Sequence, residues 1–135
     1  MTSSQASTSE RRPSSFDLLA EPVRRWIWQQ GWDELRDIQE RAIPVVVEGK
    51  ADLIIAAPTA GGKTEAAFLP LLSRIAGGSG RGFKALYLSP LKALINDQFR
   101  RLDGLGQAAG VPVHRWHGDV ASTVKARARQ TDCAH

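Results

Sequence analysis

DLIIAAPTAGGKTEAAF, Asp52 to Phe68, passes from an apolar run through a Pro-Thr-Ala-Gly-Gly-Lys-Thr cluster into a stretch of helix formers. Residues 51–57, ADLIIAA, are mostly apolar on both faces, as suits an inner strand of a parallel sheet covered by helices. Four residues separate Ala57 from Gly62-Lys63-Thr64, the Walker A spacing with Ala in place of the first Gly. At such a strand-to-helix turn, successive backbone N–H groups surround anionic oxygens, and the helix N-terminus adds partial positive charge. Thr59, Ala60, Gly61 and Gly62 would line that cradle for ATP, Lys63 would neutralise the β- and γ-phosphates, and Thr64 would place its hydroxyl on magnesium. A Gly-rich turn without a ligand is the competing interpretation; a strand leading in and a helix leading out weigh against it.

On the N-terminal side, FDLLAEPVRRWIWQQG sets Val23, Trp26, Ile27 and Gln30 at helical spacing, with Pro22 in the first turn and Gly31 as the stop. ELRDIQERAIPVVVEGK predicts a second helix, with Ile38, Ala42 and Val46 four apart, Pro44 as a kink and Gly49 as terminator. On the C-terminal side, residues 63–76 predict a helix closed by the loop GGSGRG, and FKALYLS, 83–89, a second strand running into Pro90. Leu91, Leu94, Ile95 and Phe99 then line one helical face, flanked by Arg100 and Arg101, until glycines at 104, 106 and 110 break the helix. VPVHRWH, 111–117, predicts a third strand, and Gly118-Asp119 leads to a helix capped by Ser122 or Asp119. Strand alternating with helix builds a right-handed parallel α/β sheet flanked by helices.

The 135 residues, 42% apolar, suffice for one small domain with a core. Charge is uneven: residues 1–80 carry nine basic and ten acidic side chains, net −1, and residues 81–135 carry nine and four, net +5. A polyanionic partner for the second half follows, with a solvated basic face as the bland alternative. The single cysteine, Cys133, excludes an intrachain disulfide framework and suits a reducing compartment. No run is long enough to span a membrane, and MTSSQASTSERRPSS, 1–15, lacks the apolar centre of a secretory signal. A cytoplasmic protein with a disordered leader over 1–15 and one partial domain over 16–135 is the simplest organisation.

LIIAAPTAGGKTEAAFLPLL together with ALYLSPLKALINDQFRRL resembles the first RecA-like domain of superfamily-two helicases of the DEAD/DEAH-box type. SPLKAL, Ser89 to Leu94, is similar to their motif Ia; GWDELRDIQERAI resembles the Q motif, with Gln39 eight residues after Gly31; VHRWHGDV resembles a segment of the Lhr-like and Ski2-like groups. The likeness covers about residues 16–129 and implies an ATP-dependent enzyme acting on DNA or RNA. A carboxamide can pair with adenine N6 and N7, so Gln39 would select ATP; an ordinary exposed helical Gln is the alternative. Phe16 and Trp32 compete as the aromatic partner of adenine. Motif Ia of the family contacts the backbone of a single strand, which implicates Pro90, Leu91, Lys92 and, with less support from position, Arg100 and Arg101. His114, Trp116 and His117 suggest either a metal or a stacking platform, but no carboxylate or thiol accompanies them, and Trp116 reads first as core or edge packing.

After Thr64 the acidic residues are Glu65, Asp97, Asp103, Asp119 and Asp132, none in an Asp-Glu pair following an apolar strand. Hydrolysis by this machinery needs such a pair to hold magnesium and orient water. The resemblance therefore implies an incomplete RecA-like P-loop NTPase domain: the N-terminal fragment of a longer helicase, or the product of an interrupted reading frame, inactive alone. A non-catalytic nucleotide or nucleic-acid binding module is the second candidate. A small P-loop kinase is a remote third, since it leaves the Q-like and Ia-like segments unexplained.

Overall fold

The computed structural model describes residues 14–78 and 82–131. The expected leader falls outside them up to residue 13. Its last two residues are docked: Ser14 Oγ donates to Glu40 Oε1 (3.1 Å), and Ser15 donates through N to Glu40 Oε2 (2.9 Å) and through Oγ to the Glu40 carbonyl (2.8 Å). A 3-10 turn, Ser15–Leu18, follows.

Five helices succeed it: α1 (Glu21–Gln29), α2 (Asp37–Glu48), α3 (Lys63–Ile75), α4 (Lys92–Ala109) and α5 (Ser122–Thr131). α1 has Pro22 in its first turn, where the missing N–H costs nothing, and buries Val23 and Ile27 on one stripe. α2 carries Pro44 in its interior and ends on Gly49, whose φ of 61° suits glycine in the left-handed region. The core is built from helix faces, with Ile27, Ile43, Leu69 and Leu105 fully buried beside Leu19, Val23, Leu72, Leu102 and Ala109. Each large aliphatic side chain so buried contributes about 1.5–3 kcal/mol.

Two expectations about helices are corrected. α4 continues through Gly104 and Gly106 and stops at Gly110, φ 68°. These glycines permit close packing: a Cβ on Gly106 would lie 2.5 Å from Val113 Cγ2 and 2.7 Å from the Val111 carbonyl oxygen, so the segment after α4 folds back onto that point. α5 starts at Ser122 with the Ala121 carbonyl accepting from Val124 N and Lys125 N, and Asp119 turns its carboxylate to Lys92, so neither expected residue takes the N-cap position.

The expected sheet is not formed among the described residues. The segments 52–58, 83–89 and 111–116 lie where strands were predicted, but no ladder joins them. Ile54 is 93% exposed and Leu86 and Leu88 are 81% and 80% exposed, contrary to burial on both faces. An extended segment satisfies its N–H and C=O groups in a ladder with a neighbouring strand, and no such ladder is formed among the described residues. Tyr87 still packs its ring edge-on against Phe68 of α3, at 5.7 Å.

Candidate functional site

The loop between residue 57 and α3 has the geometry of an anion cradle. Ala60 and Gly62 both adopt left-handed backbone, φ 63° and 81°. For Gly62 this is free of strain, whereas a non-glycine residue such as Ala60 gives up about 1–2 kcal/mol there. Gly61 N donates to the Pro58 carbonyl at 3.0 Å, closing the turn. No side chain caps α3, so its first-turn amides remain available to an anion, as phosphate binding at a helix N-terminus requires. Lys63 Nζ donates back to the carbonyls of Ala57 (2.6 Å) and Pro58 (2.9 Å). An arriving phosphate would compete with these carbonyls for the ammonium.

The start of α2 is fitted against that loop. Arg36 N donates to Gln39 Oε1 at 2.9 Å, the return half of a capping box; the forward half would need an acceptor oxygen, which arginine lacks. The Arg36 guanidinium reaches across to the Ala60 carbonyl at 2.5 Å. A Cβ on Gly62 would sit 2.9 Å from Gln39 Nε2 and 3.1 Å from Arg36 Cδ, so the glycine is what lets the two segments touch. Gln39 is 3% exposed, which rejects the ordinary surface glutamine and places its carboxamide against the phosphate loop.

These groups line one cleft of about 650 Å³, together with Trp32, Glu34, Glu65 and Arg101. Trp32 is thus in the cleft with Gln39, while Phe16 stacks on Trp28 at 6.0 Å and lines a neighbouring cleft of about 420 Å³ that Trp32 also borders. Sequence reasoning missed Arg36 and the role of Glu65, though Arg36 stands at the N-cap position three residues before Gln39. Arg101, grouped by sequence with the strand-contacting residues, lines the cleft, where its Nη2 lies 2.5 Å from Glu65 Oε1. Thr64 opens α3 beside Lys63 without lining the cleft.

The Ser89–Leu94 segment leads into α4. Leu91 is its N-cap residue and is exposed, Lys92 is its first residue, and Arg100 is exposed on the same helix. Lys92 Nζ meets both carboxylate oxygens of Asp119, at 3.0 and 2.9 Å. The hydrogen bond and the charge of Lys92 hold the Asp119 carboxyl below its ordinary value. His117 Nε2 and Arg115 Nη1 approach Asn96 Oδ1 at 3.2 and 3.1 Å, so this end of α4 and the turn after residue 116 are tied together. No group of three or more His, Cys, Asp or Glu among the described residues is arranged to hold a metal, and no described helix is long and apolar enough to cross a membrane.

No solved structure matches the chain. The sequence pattern of the DEAD/DEAH box helicase family matches residues 36–134. Among curated proteins, the chain is 35% identical over 99 residues to the probable ATP-dependent RNA helicase DDX52 of Bos taurus, covering 73% of this chain and 16% of that protein. It is 36% identical over 106 residues to the ATP-dependent DNA helicase Hel308 of Thermococcus kodakarensis, covering 78% and 9%. The ATP-dependent helicase Lhr-Core of Sulfolobus acidocaldarius is 36% identical over 95 residues, covering 64% and 10%. The chain therefore spans 16% or less of the length of each of these relatives. With the family pattern running from the start of α2 through the phosphate loop and α4 into α5, the chain belongs to the DEAD/DEAH box helicase family.

Proposed function

We propose that this chain is the ATP-binding and strand-contacting portion of an ATP-dependent DNA or RNA helicase, with a RecA-like α/β architecture. The observation that carries it is the meeting of Gln39, Gly62 and Trp32 around one cleft at the uncapped start of α3. The residues suit a nucleoside triphosphate: small residues and free amides for the phosphates, a lysine within the loop, and a carboxamide and an indole for the base. ATP would supply the phosphoanhydride bond to be broken, and magnesium, held through Thr64, would neutralise charge on its phosphates.

Lys63 would exchange the Ala57 and Pro58 carbonyls for phosphate oxygens. Thr64 would offer its hydroxyl to the metal. Gln39 keeps its Oε1 on the Arg36 amide and would turn Nε2–H toward a base acceptor, sharing the second lone pair of Oε1 with a base donor. Trp32 would cover the base. At the other site Pro90, Leu91, Lys92 and Arg100 would border a single strand, with Arg101 serving the nucleotide cleft through Glu65.

A binding module without turnover is the second proposal, favoured by a specific observation. Of the carboxylates after Thr64, Glu65 is engaged by Arg101 and Asp119 by Lys92, and none forms the Asp-Glu pair that water activation needs. Titration with a fluorescent ATP analogue tests the shared claim. Lys63→Ala should weaken binding by about 10- to 100-fold, the loss of a charge-assisted hydrogen bond; unchanged affinity would remove the loop from the site. Hydrolysis stimulated by single-stranded nucleic acid would decide for the enzyme over the module.

A further inference from the structure

Trp116 stands outside the core, 45% exposed, although its place in an apolar segment suggests packing. Two cations lie over its ring: Lys125 Nζ at 5.6 Å and Arg129 Cζ at 5.2 Å from the centroid. They are four residues apart on α5, so they reach the indole from one helix face. Cations at this range are attracted to the π-face and hold the ring in place. Arg115 lies over Phe99 of α4 at 5.3 Å, a second aromatic and guanidinium pair, made by the residue before Trp116.

Residues 111–131 carry Arg115, Lys125, Arg127 and Arg129 against one carboxylate, Asp119, whose charge is met by Lys92. The segment is therefore net positive, and Lys125 and Arg129 beside the indole are complementary in charge to a polyanion. Asp119 bonds Lys92 and His117 bonds Asn96, so the turn that directly follows Trp116 is tied to the first turns of α4, the segment proposed above to contact a strand. An exposed ring next to cations matches one ligand chemistry well: a base for the π-face and adjoining phosphates for the charges.

We infer that Trp116, flanked by Lys125 and Arg129, is a stacking platform for a base of single-stranded nucleic acid passing the N-terminal end of α4. This rests on the proposed strand-contacting function and adds to it a base-stacking residue three positions before Asp119. No base identity is read, because every base offers a π-face; the platform would hold a strand regardless of sequence.

The test is fluorescence anisotropy of the 135-residue chain with labelled twelve-nucleotide dT and rU oligomers, an abasic oligomer of equal charge, and a polyglutamate competitor. Trp116→Ala should weaken binding of the dT or rU oligomer by about tenfold, within the roughly 5- to 150-fold range of one lost base stack, and leave the abasic oligomer nearly unaffected. Trp116→Phe should restore most of the loss. Lys125→Ala with Arg129→Ala should weaken all three oligomers and lower the slope of log K against log salt by about 1.4, roughly 0.7 per lost phosphate contact. A urea midpoint for each variant separates lost binding from lost folding; where Trp116→Ala unfolds, Trp116→Phe and the α5 double variant decide. Equal affinity of Trp116→Ala and wild type, loss on the abasic oligomer equal to that on dT, or displacement by polyglutamate as effective as by unlabelled dT would each overturn the platform. If the wild-type chain binds no oligomer, the strand-contacting function fails as well. If it binds and only Lys92→Ala reduces affinity, the platform alone falls.

Discussion

Gly62→Ala should be markedly more damaging than Gly31→Ala, although both glycines occupy left-handed backbone, φ 81° and 70°. At Gly31 a Cβ would meet nothing within 4 Å, so the substitution carries only the backbone penalty, about 1–2 kcal/mol, reduced by the lower entropy of an unfolded alanine. At Gly62 the same penalty applies, and the new Cβ also comes 2.9 Å from Gln39 Nε2 and 3.1 Å from Arg36 Cδ. Gln39 is buried and bonded to the Arg36 amide, so it cannot yield without releasing that bond, which adds about 1 kcal/mol. The total for Gly62→Ala is then about 2–3 kcal/mol. Urea unfolding followed by far-ultraviolet circular dichroism reads the difference between the two variants. With a slope of about 2 kcal/mol per molar urea, an excess of ~1 kcal/mol separates the midpoints by roughly 0.5 M. ATP affinity should fall in Gly62→Ala and stay unchanged in Gly31→Ala. Equal midpoints would refute the contact between the start of α2 and the phosphate loop, and with it the argument that Gln39 is held at the nucleotide.

Further outcomes follow from other contacts. Gly104→Ala, whose Cβ would lie at an ordinary 3.6 Å from Trp26 Nε1, should stabilise the chain by up to about 1 kcal/mol through helix propensity, whereas Gly106→Ala should destabilise it by about 1–3 kcal/mol, because the Val111 carbonyl 2.7 Å away is backbone. Thermal unfolding of the two variants checks the opposite signs. The Asp119 carboxyl, lowered first by its hydrogen bond to Lys92 and then by that charge, should titrate below 3.8 in a carbon-13 NMR experiment and return toward 3.8 in Lys92→Ala. A lowered folded value means that the pair's contribution is present above pH 3.8 and disappears as pH falls through the folded pKa, with no change expected between pH 5 and 8. Arg101→Ala should weaken ATP analogue binding more than Arg100→Ala, since only Arg101 meets Glu65 at the cleft; equal effects would return Arg101 to the strand-contacting group.

Much of the helical frame was legible because its signals are local. Pro22, Gly31 and Gly49 mark boundaries through their own backbone constraints, and the Val23–Ile27 stripe reports the buried face. Gly104 and Gly106 misled the same logic, since glycine serves both as a breaker and as a point of close approach; only the neighbour, here Val111 and Val113, decides between them. The extended segments illustrate a different limit. The apolar run at 51–57 states what burial the segment suits, while ladder formation depends on which strand lies beside it, a non-local fact that periodicity does not carry.

The candidate site divides along the same line. Lys63, Thr64 and the small residues before them follow from a contiguous pattern whose backbone geometry is self-contained. Arg36, Glu65 and Arg101 reach the cleft from three different helical segments, and their meeting depends on how α2, α3 and α4 pack. That packing also gives Glu65 a specific consequence. It lies in the first turn of α3, where a carboxylate favours the helix dipole but repels a phosphate at the same terminus. Arg101 offsets this repulsion by holding the carboxylate at 2.5 Å, so the two must be considered together. Removing Arg101 leaves an uncompensated negative charge beside the cradle, whereas removing both groups leaves none. Arg101→Ala with Glu65→Gln should therefore recover part of the ATP affinity lost in Arg101→Ala alone, and additive losses in that double-mutant cycle would show that the pair does not act as a unit.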